Sequence, residues 1–293
     1  MIQCFVKKEY APPFGLARLP RLFSVSRTDA AASVHPRVMH AHEDLVEIVL
    51  VCGGESVYFV GGVAYPARRG DLFIYNSGVV HDERSGPEAR IASYSLALGG
   101  LAVPGLRENA LLADGAPPVY PISEAETKRL ERMYALLFDE LKAGNEDGCH
   151  HLLMALLSVV QRITAGEHTG GGEAENALSR RVKDYIDAHF AEEFSLQALA
   201  DGLHVSQYYL SHVFKDVTGY SPLQYVLRRR IGEAQTLLIT TGLPVTQIAA
   251  RVGYDNPSHF NAQFLKAVGM SPRTFRREYV QQQEIESLEK PLP

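Results

Sequence analysis

The sequence lacks three features that would have assigned it to common classes of protein. It contains no run of about 18 apolar residues, so no membrane-spanning helix is expected. Its three cysteines are widely spaced and odd in number, which favours reduced thiols over a disulfide framework or a cysteine zinc site. The first residues include no apolar stretch followed by small residues, so we expect no secretory signal and a cytoplasmic protein.

The chain does contain an internal repeat close to its C-terminus. Four residues of the first unit recur fifty positions later: Phe214, Gly219, Ser221 and Pro222 correspond to Phe264, Gly269, Ser271 and Pro272. Each unit also has a helical apolar pattern interrupted by a short turn, which is typical of a helix-turn-helix. A pair of such units predicts two helices that enter successive major-groove faces of DNA, about one helical turn apart.

The distribution of charge supports a division between a basic DNA-binding part and an acidic remainder. The whole chain of 293 residues has a net charge of −5. Residues 179–277 nevertheless hold 12 Lys and Arg against 8 Asp and Glu, whereas residues 1–178 hold 16 against 22. This asymmetry is the one expected when a single domain contacts phosphate groups.

Residue types along the chain predict an α+β protein of two domains. Residues 1–20 form an arm rich in proline and aromatics, and residues 21–165 begin with short β-branched runs separated by glycine-containing turns. Such runs indicate a β-sandwich or small barrel, and two amphipathic helices follow it. Residues 166–177 are predicted to be a flexible linker because they contain three consecutive glycines. An all-α domain over 178–280 and an acidic tail over 281–293 complete the chain.

The segment from about residue 178 to residue 277 resembles the DNA-binding domain of the AraC/XylS family of transcriptional regulators. Packing residues, turns and helix caps carry the resemblance. They include Leu199, Ala200, Leu210, Phe214, Gly219, Tyr220, Ser221, Pro222, Ile248, Ala249, Gly253, Tyr254, Phe260, Phe264, Gly269, Met270, Ser271 and Pro272. The resemblance implies two helix-turn-helix motifs joined by a long helix, and activation of transcription more often than repression.

Helix geometry indicates which side chains of the two recognition helices face the DNA groove. For the first helix they are Gln207, Tyr208, Ser211, His212 and Lys215. For the second helix they are Pro257, Ser258, His259, Asn261 and Ala262, with Arg273 nearby for phosphate. Gln, Ser and His side chains can pair with the edges of bases.

The second recognition helix departs from the family pattern, since many relatives carry Arg at the position of Ala262 and Lys at the position of Leu265. The second unit is therefore expected to position the protein on DNA more than it specifies sequence. Five cationic side chains remain for phosphate groups: Arg251, Lys266, Arg273, Arg276 and Arg277. Each polar groove residue could instead belong to a solvated helix face.

The first domain carries three histidines and a glutamate at a spacing that can bring them together. His40 and His42 alternate to one face of a strand, Glu47 follows a turn, and His81 lies at the end of a later segment. Three imidazoles and a carboxylate suit a divalent metal such as Zn, Fe, Mn or Ni. The spacing resembles the two motifs of cupin barrels, which implies a cupin-like β-barrel, or jelly roll, for this domain.

The family resemblance offers a different use for the same residues. Sensor domains of AraC-type regulators are cupin-like, and many keep histidines at these positions without a metal. The residues then line an effector pocket at the mouth of the barrel. Candidates for this pocket are Arg37, His40, His42, Glu47, Tyr58, His81 and Tyr94. Such side chains would suit a sugar or a small aromatic or carboxylated metabolite.

The two amphipathic helices, at 123–143 and 150–165, are implied by the resemblance to form the contact of a homodimer. They could equally pack on the barrel, and one helix can bury one face while offering another. Promoter DNA is the principal expected partner, and RNA polymerase is a further candidate.

We therefore expect a transcriptional regulator, not an enzyme, whose DNA binding responds to a small-molecule effector in the first domain. Two alternatives remain open from the sequence. One is a metal-dependent cupin enzyme fused to a DNA-binding domain, and the other is a metal sensor in which the His/Glu set is itself the effector site. No additional acid or base of distinctive spacing accompanies the four ligands, which disfavours the enzyme.

Overall fold

The computed structural model describes residues 12–29, 38–83, 91–165 and 177–278. Several predicted features lie outside these described residues. They are most of the N-terminal arm, Arg37, the linker apart from its last residue, and the acidic tail. A short 3₁₀ turn at Pro13–Gly15 precedes the first strand.

In the described residues of the N-terminal domain, eight strands form two facing antiparallel sheets. They are β1 (Arg21–Thr28), β2 (Leu45–Gly53), β3 (Glu55–Val60), β4 (Val63–Arg68), β5 (Asp71–Tyr75), β6 (His81–Glu83), β7 (Ala92–Gly99) and β8 (Val119–Pro121). The larger sheet has the order β1-β7-β2-β5-β8, and the smaller has the order β4-β3-β6. The predicted jelly roll is thereby confirmed.

Alternation along β2 separates the two sides of the larger sheet. Ile48 and Leu50 belong to a core shared with the helices, whereas Val49 and Val51 belong to a core between the sheets. Because successive strand residues point to opposite faces, Glu47 lies on the same side as Val49, toward the barrel interior. This position brings its carboxylate to the barrel mouth.

Two helices, α1 (Glu124–Lys142) and α2 (Glu146–Thr164), cover the outer face of the larger sheet. The Tyr134 hydroxyl of α1 donates a hydrogen bond to the Ile48 carbonyl at 2.9 Å. The second helix begins at Glu146 instead of the predicted residue 150, because the Asn145 side chain accepts from the Gly148 amide and caps it there. Within the described residues, no helix combines the length and hydropathy needed to cross a membrane.

Two of the three cysteines lie in the described residues, and both are free thiols. Burial raises the pKa of Cys52 to about 12, and burial also raises the pKa of Cys149. Both side chains therefore stay protonated at neutral pH and act as packing groups.

The C-terminal domain is entirely helical in the described residues. It contains α3 (Ala177–His189), α4 (Leu196–Gly202), α5 (Gln207–Thr218), α6 (Pro222–Thr240), α7 (Val245–Arg251) and α8 (Pro257–Val268), and residues 272–278 are also helical. The pairs α4–α5 and α7–α8 are the two predicted helix-turn-helix units, and α6 is the long helix between them.

Local chemistry explains the repeated residues. Gly219 and Gly269 end the two recognition helices in the left-handed conformation, with φ of 73° and 83°, which glycine adopts without steric cost. Ser221 then forms a capping box with Gln224 at the start of α6. Phe214 and Phe264 are almost fully buried in the helical core.

The two domains also pack against each other. Val38, Met39, Phe59 and Val80 of the N-terminal domain belong to the same buried apolar cluster as the core of the helices. The ring of Phe59 lies 5.1 Å from that of Tyr220, measured between centroids. The interface is therefore an extension of the helical core.

Replacing Phe264 with Ala should lower the free energy of unfolding by about 3–5 kcal/mol, because the large buried ring would leave a cavity. The adjacent Leu265 is 51% exposed, so Leu265→Ala should change that free energy by no more than about 0.5 kcal/mol. Urea denaturation followed by circular dichroism measures both. Equal losses for the two variants would show that the buried repeat residue does not anchor the second unit.

Candidate DNA interface and effector site

The first recognition helix, α5, presents an exposed polar face. Tyr208 is 79% exposed, and Lys215 is also exposed. The exposed His212 ring lies 2.8 Å from the Asp216 carboxylate, measured from Nδ1 to Oδ2. Ser211 is half-buried, as is Gln207, which donates to the Gln197 side chain of α4 at 2.7 Å.

The second recognition helix, α8, is exposed along its predicted groove face. The predicted residues that are exposed are Pro257, Ser258, His259, Asn261 and Ala262, together with Arg273 beyond the helix. Asn256 caps the helix by accepting hydrogen bonds from the amides of Ser258 and His259. Tyr209 on α5 was not predicted as a groove residue, yet it is 52% exposed.

One of the predicted phosphate-binding cations has a structural role instead. The Arg276 guanidinium donates to the carbonyls of Leu238, Thr241 and Leu243, at 3.2, 3.3 and 2.7 Å. These carbonyls are at the end of α6 and just after it, where a helix has no backbone donors of its own. The prediction of Arg276 as a phosphate ligand is therefore corrected, whereas Arg251, Lys266, Arg273 and Arg277 are exposed.

Arg230 of α6 forms hydrogen bonds that connect the two helix-turn-helix units. Its guanidinium donates to the carbonyls of Phe190, Glu192 and Gly253, at 2.6, 2.6 and 2.7 Å. The first two carbonyls precede α4, and the third lies in the turn of the second unit. Gly253 has a φ of 85°, and a Cβ there would lie 2.4 Å from the Ala191 carbonyl oxygen. This close contact keeps the two recognition helices at a fixed spacing.

In the N-terminal domain, His40, His42, Glu47 and His81 converge at the mouth of the barrel. One potential ligand atom from each residue lies within 4.8 Å of all the others. His40 and His81 are almost fully buried, and their backbones hydrogen-bond to each other at 2.9 and 2.8 Å. The Glu47 Oε2 atom lies 3.2 Å from His42 Nε2 and 3.3 Å from His81 Nε2.

Backbone carbonyls fix the orientation of two imidazole rings. The Nδ1 atoms of His40 and His81 each lie 3.0 Å from a carbonyl, those of Val38 and Val79 respectively. Because a carbonyl only accepts, these Nδ1 atoms carry hydrogen, and in the neutral ring Nε2 keeps its lone pair. The His81 Nε2 lone pair then faces the Glu47 carboxylate, and two acceptors at that distance repel unless a proton or a cation lies between them.

The charge state of Glu47 fits this arrangement. Burial by itself raises the pKa of Glu47, but His42 and His81, when a ring proton of each lies toward the carboxylate, hold that pKa well below its ordinary value by hydrogen bonds and charge. The group is therefore an ionised carboxylate surrounded by imidazoles, which is a donor set that favours a divalent cation.

The other predicted pocket residues in the described part of the chain, Tyr58 and Tyr94, lie on opposite sides of the larger sheet. Tyr58 is buried between the sheets, with its ring 5.0 Å from that of Phe73. Tyr94 points to the opposite side of the larger sheet, where its ring lies 5.7 Å from that of Tyr134 of α1. Tyr94 is therefore not brought together with the cluster, and Arg37 lies outside the described residues.

Two residues next to the cluster were missed from the sequence. The Tyr75 ring stacks on that of His81, with centroids 4.2 Å apart. Asp82 is fully buried and binds Arg228 of the helical domain, at 2.6 Å from Nη2 to Oδ2. Period-two alternation along β5 could have indicated Tyr75, but only the three-dimensional packing reveals the partner of Asp82.

Known families match both domains. A profile described as an AraC-like ligand binding domain matches residues 23–158. A profile described as a helix-turn-helix domain matches residues 199–278. The first range contains the His/Glu cluster, and the second contains both recognition helices.

Relatives of similar length are transcriptional regulators. The chain is 27% identical to the uncharacterized HTH-type transcriptional regulator YdiP of Escherichia coli (strain K12), over 91% of this chain and 89% of that protein. It is 26% identical to the arabinose operon regulatory protein of Salmonella typhimurium, over 78% of this chain and 82% of that protein. It is 26% identical to the HTH-type transcriptional activator RhaS of Enterobacter sp. (strain 638), over 84% and 91% of the two chains.

The fold, the two matched domains and these relatives define the class as that of one-chain regulators with a ligand-binding domain and a DNA-binding domain. The chain belongs to the AraC-type transcriptional regulators.

Replacing Arg230 with Ala should lower the stability of the helical domain by about 1.5–3 kcal/mol, because three carbonyls would lose a charged donor. Arg251→Ala is the matched control, since Arg251 is exposed and should change stability by no more than about 0.5 kcal/mol. Thermal denaturation measures the difference. An Arg230→Ala variant as stable as the control would contradict the fastening role.

Proposed function

We propose that this regulator reads promoter DNA through the exposed faces of α5 and α8, and that a ligand bound by the His/Glu cluster controls it. It acts in the cytoplasm as an activator, as a homodimer that works with RNA polymerase. The observation that carries the proposal is one chain holding two exposed recognition helices and a buried convergent ligand set.

The first recognition helix supplies most of the sequence readout. Tyr208, Ser211 and His212 offer donors, acceptors and an aromatic surface to base edges, and Lys215 offers charge to phosphate. The second helix supplies fewer donors, because Ala262 and the exposed Leu265 carry none. Arg251, Lys266 and Arg273 provide charge near it, which suits a unit that mainly positions the protein.

His212→Ala should weaken binding to target DNA by about 1–3 kcal/mol and relax base preference at one position, because a base-edge contact is lost. Target sites selected from a random DNA library, followed by fluorescence anisotropy at fixed salt, provide the measurement. His189→Ala is the control, since His189 is likewise exposed beside an acidic partner, Glu192, but lies on α3. Unchanged affinity and base preference for His212→Ala would remove that residue from the readout.

The effector that the geometry supports best is a divalent metal ion such as Zn, Fe, Mn or Ni. Ligand atoms bound about 2.0–2.2 Å from a common ion lie within about 4.4 Å of one another, so atoms within 4.8 Å need only small side-chain adjustments. His40, His42, Glu47 and His81 would hold the ion, and its charge would satisfy their converging lone pairs. The carbonyls that orient His40 and His81 are the supporting groups such sites use.

A sugar is the second candidate effector, because a relative is named as an arabinose operon regulator. Between the sheets, however, Tyr58, Phe73 and Tyr75 are almost fully buried and belong to one packed apolar cluster. A sugar at this place would have to displace some of these rings, whereas an ion would not.

Purified protein should bind one equivalent of Zn²⁺, and a His40→Ala/His81→Ala double variant should lose it, because two of four ligands are removed. Elemental analysis after dialysis against the metal provides the measurement. The matched control is His150→Ala/His151→Ala, which removes two histidines from the surface of α2 and should retain the metal. Absence of metal from the unmodified protein would reject the metal site and direct a thermal-shift screen to sugars.

The dimer contact is assigned to α1 and α2. Both helices bury one face on the larger sheet, while Leu136 of α1 stays 47% exposed. On α2, Met154 and Ala155 line a groove of about 450 Å³ together with Leu19. Exposed apolar side chains and a groove on the same helical pair suit a second copy of the chain.

A further inference from the structure

Both chain segments that carry buried histidines of the cluster also contact α6 of the DNA-binding domain. In the first segment, the Val38 amide donates to Gln235 Oε1 at 2.8 Å, two residues before His40. In the second segment, Asp82 directly follows His81 and accepts from Arg228 Nε and Nη2, at 3.0 and 2.6 Å. In each segment, the residue that contacts α6 is therefore only one or two positions away from the histidine of the cluster.

A glycine of α6 makes the close approach of the first segment feasible. A Cβ at Gly232 would lie 1.9 Å from the Met39 carbonyl oxygen and 2.6 Å from its carbonyl carbon. Glycine in the middle of a helix destabilises that helix relative to alanine. Its presence in α6 is explained by the backbone of Met39, which occupies the space of the missing side chain.

A continuous set of hydrogen bonds joins the cluster to α6. The His40 ring donates to the Val38 carbonyl, and the amide of the same Val38 donates to Gln235. The backbones of His40 and His81 are paired, so the two segments are held together. Docking on α6 thus restrains the two segments that carry the buried histidines, including His81, whose Nε2 atom lies 3.3 Å from Glu47 Oε2.

The geometry points to reciprocal coupling between metal binding and docking: a divalent ion in the cluster strengthens the packing of the sensor domain on α6, and that packing strengthens metal binding. This inference rests on the metal site proposed above. The docked arrangement fixes two ligands in advance, so less ordering is required when the ion binds. By thermodynamic linkage, a change that disrupts docking must weaken metal binding by the same factor that metal strengthens docking.

Gly232→Ala tests this coupling in the full-length chain. Alanine favours the helix itself, but its methyl group collides with the Met39 carbonyl, so the variant should fold and undock. We expect its Kd for Zn²⁺, measured by competition with a chromophoric chelator, to rise at least about fivefold. The matched control is Gly202→Ala, because Gly202 also lies in a helix and a Cβ there meets nothing within 4 Å.

A second variant removes a hydrogen bond at the same interface without adding a larger side chain. Gln235→Met retains the length of the side chain but removes the acceptor of the Val38 amide, and it should also raise the Kd for Zn²⁺. Circular dichroism checks that each variant keeps its helices.

The outcomes separate the two proposals. If the unmodified protein binds no Zn²⁺, the metal site itself is wrong and the coupling with it. If the unmodified protein and Gly202→Ala bind Zn²⁺ and both α6 variants bind it with the same Kd, the metal site stands and the coupling is overturned. Weaker binding by both α6 variants alone supports the coupling.

Discussion

Adjacent residues of an extended chain point to opposite sides, and the connection between the two domains depends on this constraint. His81 points into the barrel, so the next residue, Asp82, must point out of it, toward α6. The paired segment around His40 is placed in the same way, with Met39 against Gly232. The ligand residues and the residues that contact the DNA-binding domain lie on opposite faces of the same short segments. No separate linker element is therefore needed to connect the ligand set with that domain.

The ion pair between Asp82 and Arg228 contributes more to the specificity of docking between the two domains than to its strength. Asp82 is fully buried, and Arg228 and Tyr220 both donate to its Oδ2 atom. Its Oδ1 atom is buried without a hydrogen-bond partner among the described residues. Removing a carboxylate from water costs several kcal/mol, which the pairing largely offsets but seldom exceeds. Such a contact fixes which surfaces meet while leaving the strength of docking adjustable by a ligand.

The sequence was sufficient to predict the parts of the fold that are determined locally. The ends of the recognition helices follow from Gly219 and Gly269, and the convergence of His40 and His81 follows from motif spacing. Contacts between residues far apart in the chain were not predictable in this way. Asp82 meets Arg228 across 146 positions, and nothing in either neighbourhood specifies the other. The prediction that Tyr94 lines the effector pocket failed for a related reason. The side of the sheet that the Tyr94 side chain faces depends on the strand register.

The fixed spacing of the two recognition helices changes how the weaker one contributes. Arg230 and Gly253 hold the second unit in place before DNA is met. Once the first helix binds, contacts of the second therefore require little further loss of rotational freedom. Under that condition even apolar side chains are useful, because Ala262 can contact the methyl group of thymine in the major groove. A helix with few hydrogen-bond donors can thus add affinity and a preference for A·T pairs without an arginine at its centre.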